Sequence, residues 1–149
     1  MKRLFCFVFT ALMALPAVSE TAAPDLPPPI FLDGENVDLN EFLWIKRPIA
    51  VFADSPADPR FIQQMELLHE RAEELAERDV VVLTDTNPEG RSKLRQKLRP
   101  RGFMLALVIK DGTVYLRKPV PWDVREISRV IDKLPMRQQE IRERREQRN

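Results

Sequence analysis

The sequence predicts an α/β domain whose mixed central sheet of about four strands is built in the order β-α-β-α-β-β-α. Three observations predict it. Residues 48–53 (PIAVFA) and 79–85 (DVVVLTD) are apolar runs too short for helices and too continuous for half-exposed strands, so both read as buried central strands. Between them Phe61, Met65, Leu68, Ala72 and Leu75 recur at helical spacing. A long helix between two strands makes them parallel neighbours joined by a right-handed crossover. Downstream, residues 102–109 (GFMLALVI) and 113–118 (TVYLRK) flank Lys110, Asp111 and Gly112, and Asp-Gly between two β-rich runs predicts a hairpin.

Taken in order, residues 1–19 read as a secretory signal peptide: Lys2 and Arg3 precede a mostly apolar stretch, and Ala17, Val18 and Ser19 close it in a small-x-small pattern. Cleavage is expected after Ser19, which makes the protein exported and periplasmic. An uncleaved anchor would need about 20 apolar residues; this run is shorter and contains Pro16, so no transmembrane segment is expected after cleavage. Residues 20–29 (ETAAPDLPPP) form a Pro-rich linker with no apolar area to bury. The domain itself spans residues 30–136. Asp38 with Glu41 makes a capping-box pattern that should turn Leu39, Phe42 and Leu43 inward on a short helix. Asp58 caps the crossover helix, Pro59 suits its first position, and the periodicity carries it to about Arg78. Asn87 and Pro88 open a short basic helix with Leu94 and Leu98 on one face, weakened by Gly90 and stopped by Pro100. Asp123 and Glu126 repeat the capping box before the stripe of Ile127, Val130, Ile131 and Leu134. Residues 137–149 form a charged helical tail, with Glu140–Arg144 and Arg142–Glu146 at i,i+4 spacing, each pair worth about 0.3–0.5 kcal/mol. A solvated tail is the expectation; its rival is an Arg-rich contact arm for anionic lipid or an acidic partner, whose field the interleaved glutamates weaken.

Composition removes several functions. Cys6, the single cysteine, lies inside the leader, too early to be a lipidated first residue, so the mature chain has no thiol. Thiol redox catalysis needs a thiolate and is excluded there. Losing Lys2 and Arg3 takes the 24 basic residues to 22 against 23 acidic ones, a net charge of −1. Nucleic-acid binders usually carry a basic face, so no nucleic-acid partner is expected. No Ca²⁺ loop of the D-x-D-x-D-G type occurs. His69 is the sole histidine and cannot assemble a zinc site without cysteine or a second histidine. It reads as a partly exposed helix residue, and with no G-x-S-x-G it offers no Ser-His-acid triad. Neither metal nor cofactor is expected.

The predicted order is similar to the minimal thioredoxin fold, in which the loop after the first strand carries Trp-Cys-x-x-Cys. Set against that pattern, VFADSPADPR places Pro56 and Pro59 where the two cysteines would fall. The sequence also resembles a bacterial exported family called domain of unknown function 4174. The likeness runs from about Leu39 to Glu140 and rests on Arg47 at the strand start, Gln64 on the helix, Asp111 and Gly112 in the hairpin, and the closing Ile131, Asp132, Pro135, Met136, Arg137 and Glu140. It implies a thioredoxin-like, peroxiredoxin-related domain with relatives in animal extracellular proteins, and no established activity.

In such a topology the carboxyl ends of the two parallel strands, the approach to the third strand and the exit of the fourth meet at one edge, where α/β proteins commonly bind ligands. That edge would gather Asp54, Ser55, Asp58, Asp85, Arg101, Arg117 and Trp122, with the Asp-Gly hairpin at the opposite pole. Mixed charges, a hydroxyl and an indole could hold a small polar ligand or a peptide, and the helix start near Arg60 adds donors for an anion. The plainer reading makes Asp54 and Asp58 turn and cap residues, Asp85 the start of a loop, and Trp122 a packing residue. The sequence thus points to a redox-inactive binding or accessory module of the cell envelope, with an unknown protein or small polar ligand as partner. Its rivals are a cysteine-independent enzyme using the edge's acids and arginines, an envelope component working through its tail, and a peroxiredoxin-like oxidoreductase by fold alone.

Overall fold

A computed structural model describes residues 30–149; the predicted leader, its cleavage point, Cys6 and the linker lie outside them. Strands β2 (Arg47–Phe52) and β3 (Val80–Asp85) pair in parallel, from Arg47 opposite Val80 to Phe52 opposite Asp85. On the other side of β2 lies β4 (Met104–Val108), antiparallel, with Ile49 opposite Leu107. Strand β5 (Val114–Lys118) returns antiparallel to β4. The turn between them is the expected one: Gly112 takes a left-handed φ of 89°, and the Thr113 N–H donates to the Asp111 carboxylate at 2.8 Å.

The sheet has five strands rather than about four. Strand β1 (Phe31–Asp33) adds in parallel to the free side of β3, giving the order β1-β3-β2-β4-β5. Three residues directly after a Pro-rich run are too few to show a period, which is why pattern reading misses them.

The helices follow their caps more closely than their predicted lengths. Helix α1 (Pro59–Glu70) starts under Asp58, but Arg71 leaves the helical region at φ −126°, ψ 35°, and a separate α2 (Ala72–Ala76) follows. The apolar stripe still survives the break, since Leu68 and Leu75 are both fully buried. The Asp38–Glu41 capping box forms as expected, yet it heads a single 3-10 turn (Leu39–Phe42) that buries only Leu39. The basic helix opens late. Pro88–Gly90 is a 3-10 turn, Arg91 turns left-handed at φ 46°, and α3 (Lys93–Leu98) begins beneath Ser92, whose hydroxyl accepts from the Arg95 N–H at 3.0 Å. Helix α4 (Val124–Asp132) is capped by Asp123, while Glu126 pairs with Arg129 at 2.6 Å.

Two cores result, one on each face of the sheet. Ile49 and Val51 of β2 face the layer of α1, α2 and α4, meeting Leu68, Leu75, Ile127 and Ile131. Ala50 and Phe52 face the opposite layer, meeting Leu39, Leu94 and Leu98. A strand covered on both faces has no polar side to show, which explains the continuous apolar run.

Candidate functional site

The β2–α1 loop lies where it was expected, at the carboxyl end of the central strands. Asp54 and Ser55 are exposed, and the Ser55 hydroxyl accepts from the Ala57 N–H at 3.1 Å, which shapes the turn. Asp58 accepts from the guanidinium of Arg60 at 2.8 Å and from its backbone N–H at 2.9 Å. Those bonds hold the Asp58 carboxyl below its ordinary pKa. An open hollow of about 470 Å³ lies over this loop, lined by Asp54, Ser55, Asp58 and Arg60. A second hollow of about 260 Å³ is lined by Arg99, Arg101, Phe103, Arg117 and Lys118. The two adjoin. Arg60 sits 5.6 Å over the Phe103 ring, and a Cβ added at Gly102 would lie 3.9 Å from the Asp54 carboxylate.

The structure does not bring all seven predicted residues to that surface. Asp85 is buried, accepting from the Ser92 hydroxyl at 2.5 Å, the Arg95 guanidinium at 2.8 Å and the Asn87 N–H at 3.0 Å. Arg95 also donates to the Ala53 carbonyl at 2.7 Å, so this pair ties α3 to the ends of β2 and β3 instead of facing a ligand. Trp122 is half-buried, its backbone gripped by Gln64, which accepts from the Trp122 N–H at 2.7 Å and donates to its carbonyl at 3.0 Å. What remains accessible is Asp54, Ser55, Arg101 and Arg117, joined by two residues that sequence reading missed, Arg99 and Lys118. A signal for them existed. Residues 91–118 carry nine basic side chains and one acid, a local imbalance hidden by the near-neutral total.

Most of the residues that carry the family likeness gather at the opposite pole, Gln64 with its grip on Trp122 excepted. Arg47 is 1% exposed and donates to the Arg78 carbonyl and to the Glu140 carboxylate, each at 2.8 Å. Lys110 bridges Glu140 at 2.8 Å and Asp79 at 2.9 Å. Arg137 reaches Glu140 at 3.3 Å and Asp132 at 3.5 Å, and Arg78 grips both oxygens of Asp132 at 3.0 and 2.8 Å. Burial opposes ionisation of Glu140, but the hydrogen bonds and charges of Arg47 and Lys110 outweigh it and hold the carboxyl down at about 2.

The tail therefore does not begin as a solvated element at Arg137. Helix α5 (Pro135–Glu146) buries Arg137 and locks Glu140 into the domain. The expected Glu140–Arg144 pair is replaced, because Glu140 turns to Arg47 and Lys110 while Arg144 reaches Asp79 and the Glu77 carbonyl. Pro135 and Asp111 line a hollow of about 310 Å³ beside this network, with Met136 and Leu134. His69 stacks on Phe31, with ring centroids 3.9 Å apart. Among the described residues no cluster of three or more His, Cys, Asp or Glu is placed to hold a metal, and no helix is long and apolar enough to cross a membrane.

Fold and edge together define the class: a thioredoxin-like α/β domain whose strand-to-helix loop has no cysteine. Residues 38–140 match the family described as Domain of unknown function (DUF4174), and the chain belongs to that family. Its fold is similar to that of the reduced 2-Cys peroxiredoxin of Plasmodium vivax, at 15% identity and a TM-score of 0.52, covering 64% of this chain and 81% of that one. Weaker likenesses are to chloroplastic thioredoxin z, with 22% identity, TM-score 0.49 and coverage of 68% and 94%, and to thioredoxin peroxidase I of Plasmodium yoelii, with 17% identity, TM-score 0.49 and coverage of 69% and 80%. No curated protein matches the chain.

Proposed function

We propose that this chain is an exported binding or accessory module of the cell envelope, which uses a thioredoxin-like scaffold without thiol chemistry. A single observation carries the reading. The loop that follows the central strand is open and polar, with Asp54 and Ser55 exposed beside Arg101, while residues 7–149 contain no cysteine. Disulfide exchange needs an attacking thiolate, so the scaffold retains the placement of a site and not that chemistry. The partner is a protein or small polar ligand held at the ends of β2 and β3.

Site-specific photo-crosslinking in cells tests location and export together. A photoreactive residue at Ala57 should give a discrete adduct recovered from the periplasmic fraction, whereas one at Thr113, on the hairpin, should not. Adducts from Thr113 alone, or a protein confined to the cytoplasm, would overturn the reading.

A further inference from the structure

We infer that the edge takes a multiply charged oxyanion of the phosphate class in the hollow between the 99–103 loop and the end of β5. The inference rests on the edge reading and names the ligand chemistry. Arg99, Arg101, Arg117 and Lys118 surround a hollow of about 260 Å³ with Phe103 and Pro119. Among the described residues none of these four cations forms an ion pair, although other cations of the same basic stretch do: Lys93 with Asp38, Arg95 with Asp85, and Lys110 with Asp79 and Glu140. Four like charges converging on one concavity repel one another, and an anion between them relieves that repulsion.

Two of the four are held in place without being neutralised. Arg117 donates to the Leu98 carbonyl and approaches the Met104 sulfur at 3.8 Å, and the Lys118 ammonium lies 4.8 Å over the Trp122 ring. Neither contact supplies a negative charge. Arg99 is set by a left-handed φ of 49° at the end of α3, and Gly102, at φ 62°, puts no side chain between the hollow and Asp54. Planar guanidiniums offer paired donors that match an oxyanion's geometry, so the site should prefer phosphate groups to chloride.

Calorimetric titration of the purified protein with inorganic phosphate and pyrophosphate, alongside anionic and zwitterionic lipid vesicles, tests this. Saturable binding is expected, stronger for pyrophosphate than for phosphate and weakening as salt rises. The double variant Arg99→Gln with Arg101→Gln should lose about tenfold in affinity, whereas Arg145→Gln with Arg148→Gln, in a basic cluster at the end of α5 and just past it, should change it by less than about twofold. Binding to anionic vesicles without binding to free pyrophosphate would assign the oxyanion to a lipid headgroup. No binding to either, or equal losses in the two double variants, overturns the inference. The edge reading would survive that outcome if the Ala57 adduct still forms, and it falls separately if oxyanions bind while the adduct does not.

Discussion

Gln64 sits on the inward face of α1, where Phe61, Met65 and Leu68 mark the apolar stripe, and it is fully buried. A primary amide survives there because it acts as a surrogate peptide, donating to and accepting from the backbone of Trp122, 58 residues further along. Gln64→Leu keeps the shape and removes both bonds, leaving the Trp122 N–H and carbonyl unpaired. The cost should be about 2–3 kcal/mol in urea unfolding, and a loss below about 0.5 kcal/mol would show that the clamp is dispensable. The sequence reveals half of this. That Gln64 shares the stripe's face follows from the helical period, but its partner follows only from how α4's approach folds back on α1. Asp85 teaches the same point: it ends a buried strand in either reading, and only Arg95, displaced by the left-handed turn at Arg91, makes it a staple rather than a ligand group.

Among the elements, α5 departs furthest from its sequence pattern. Arg, Glu and Gln dominate it and its buried residue is Arg137, so periodicity offers no apolar face; Pro135 at the first helical position was the usable sign of a separate helix. Its attachment is electrostatic, through Glu140 to Arg47 and Lys110 and through Arg137 to Asp132. This gives the protein a pH dependence whose sign is fixed. The Glu140 carboxyl titrates at about 2 in the folded chain against 4.5 when free. Its stabilising contribution is complete above 4.5 and is lost as pH falls from there towards 2. Glu140→Gln should destabilise the protein by about 2–3 kcal/mol at neutral pH, because buried Arg47 loses its closest counter-charge and keeps only Asp79, at 3.9 Å. The gap between wild type and variant should narrow through that acidic window. Unfolding midpoints measured at neutral pH and across the window test this, and a gap that stays constant would mean that Glu140 acts by packing alone. Truncation after Leu134 removes Arg137 and Glu140 as well, so it reports on stability before it reports on any contact made by the tail.

At the scale of the molecule, the two ends of the sheet divide the work. The hairpin pole holds most of the residues that identify the family, Arg47, Asp132, Arg137 and Glu140, and they are spent on one another in a closed network. At the other pole Asp54, on the loop before the Asp58 cap, and Arg101, on the loop between α3 and β4, are exposed and make no hydrogen bond or ion pair among the described residues. Topology made the position of that edge readable from the sequence, because parallel strands joined by a helix must end together. Its basic character was not read, since a net charge averages over faces that the fold keeps apart. A scaffold built this way should lose stability from one pole and binding from the other. Arg47→Met replaces a buried charge by an apolar chain of similar length but leaves Glu140 and Lys110 to rearrange, and should cost about 3 kcal/mol or more. Asp54→Ala and Arg101→Ala remove exposed groups with no bonds to lose, and each should move stability by less than about 0.5 kcal/mol. Urea denaturation of the three variants, paired with recovery of the Ala57 adduct, separates the poles: the edge substitutions should weaken the adduct in a fully folded protein. If Asp54→Ala or Arg101→Ala instead lowers stability as far as Arg47→Met does, the edge is part of the fold's own support, and the division between the poles is wrong.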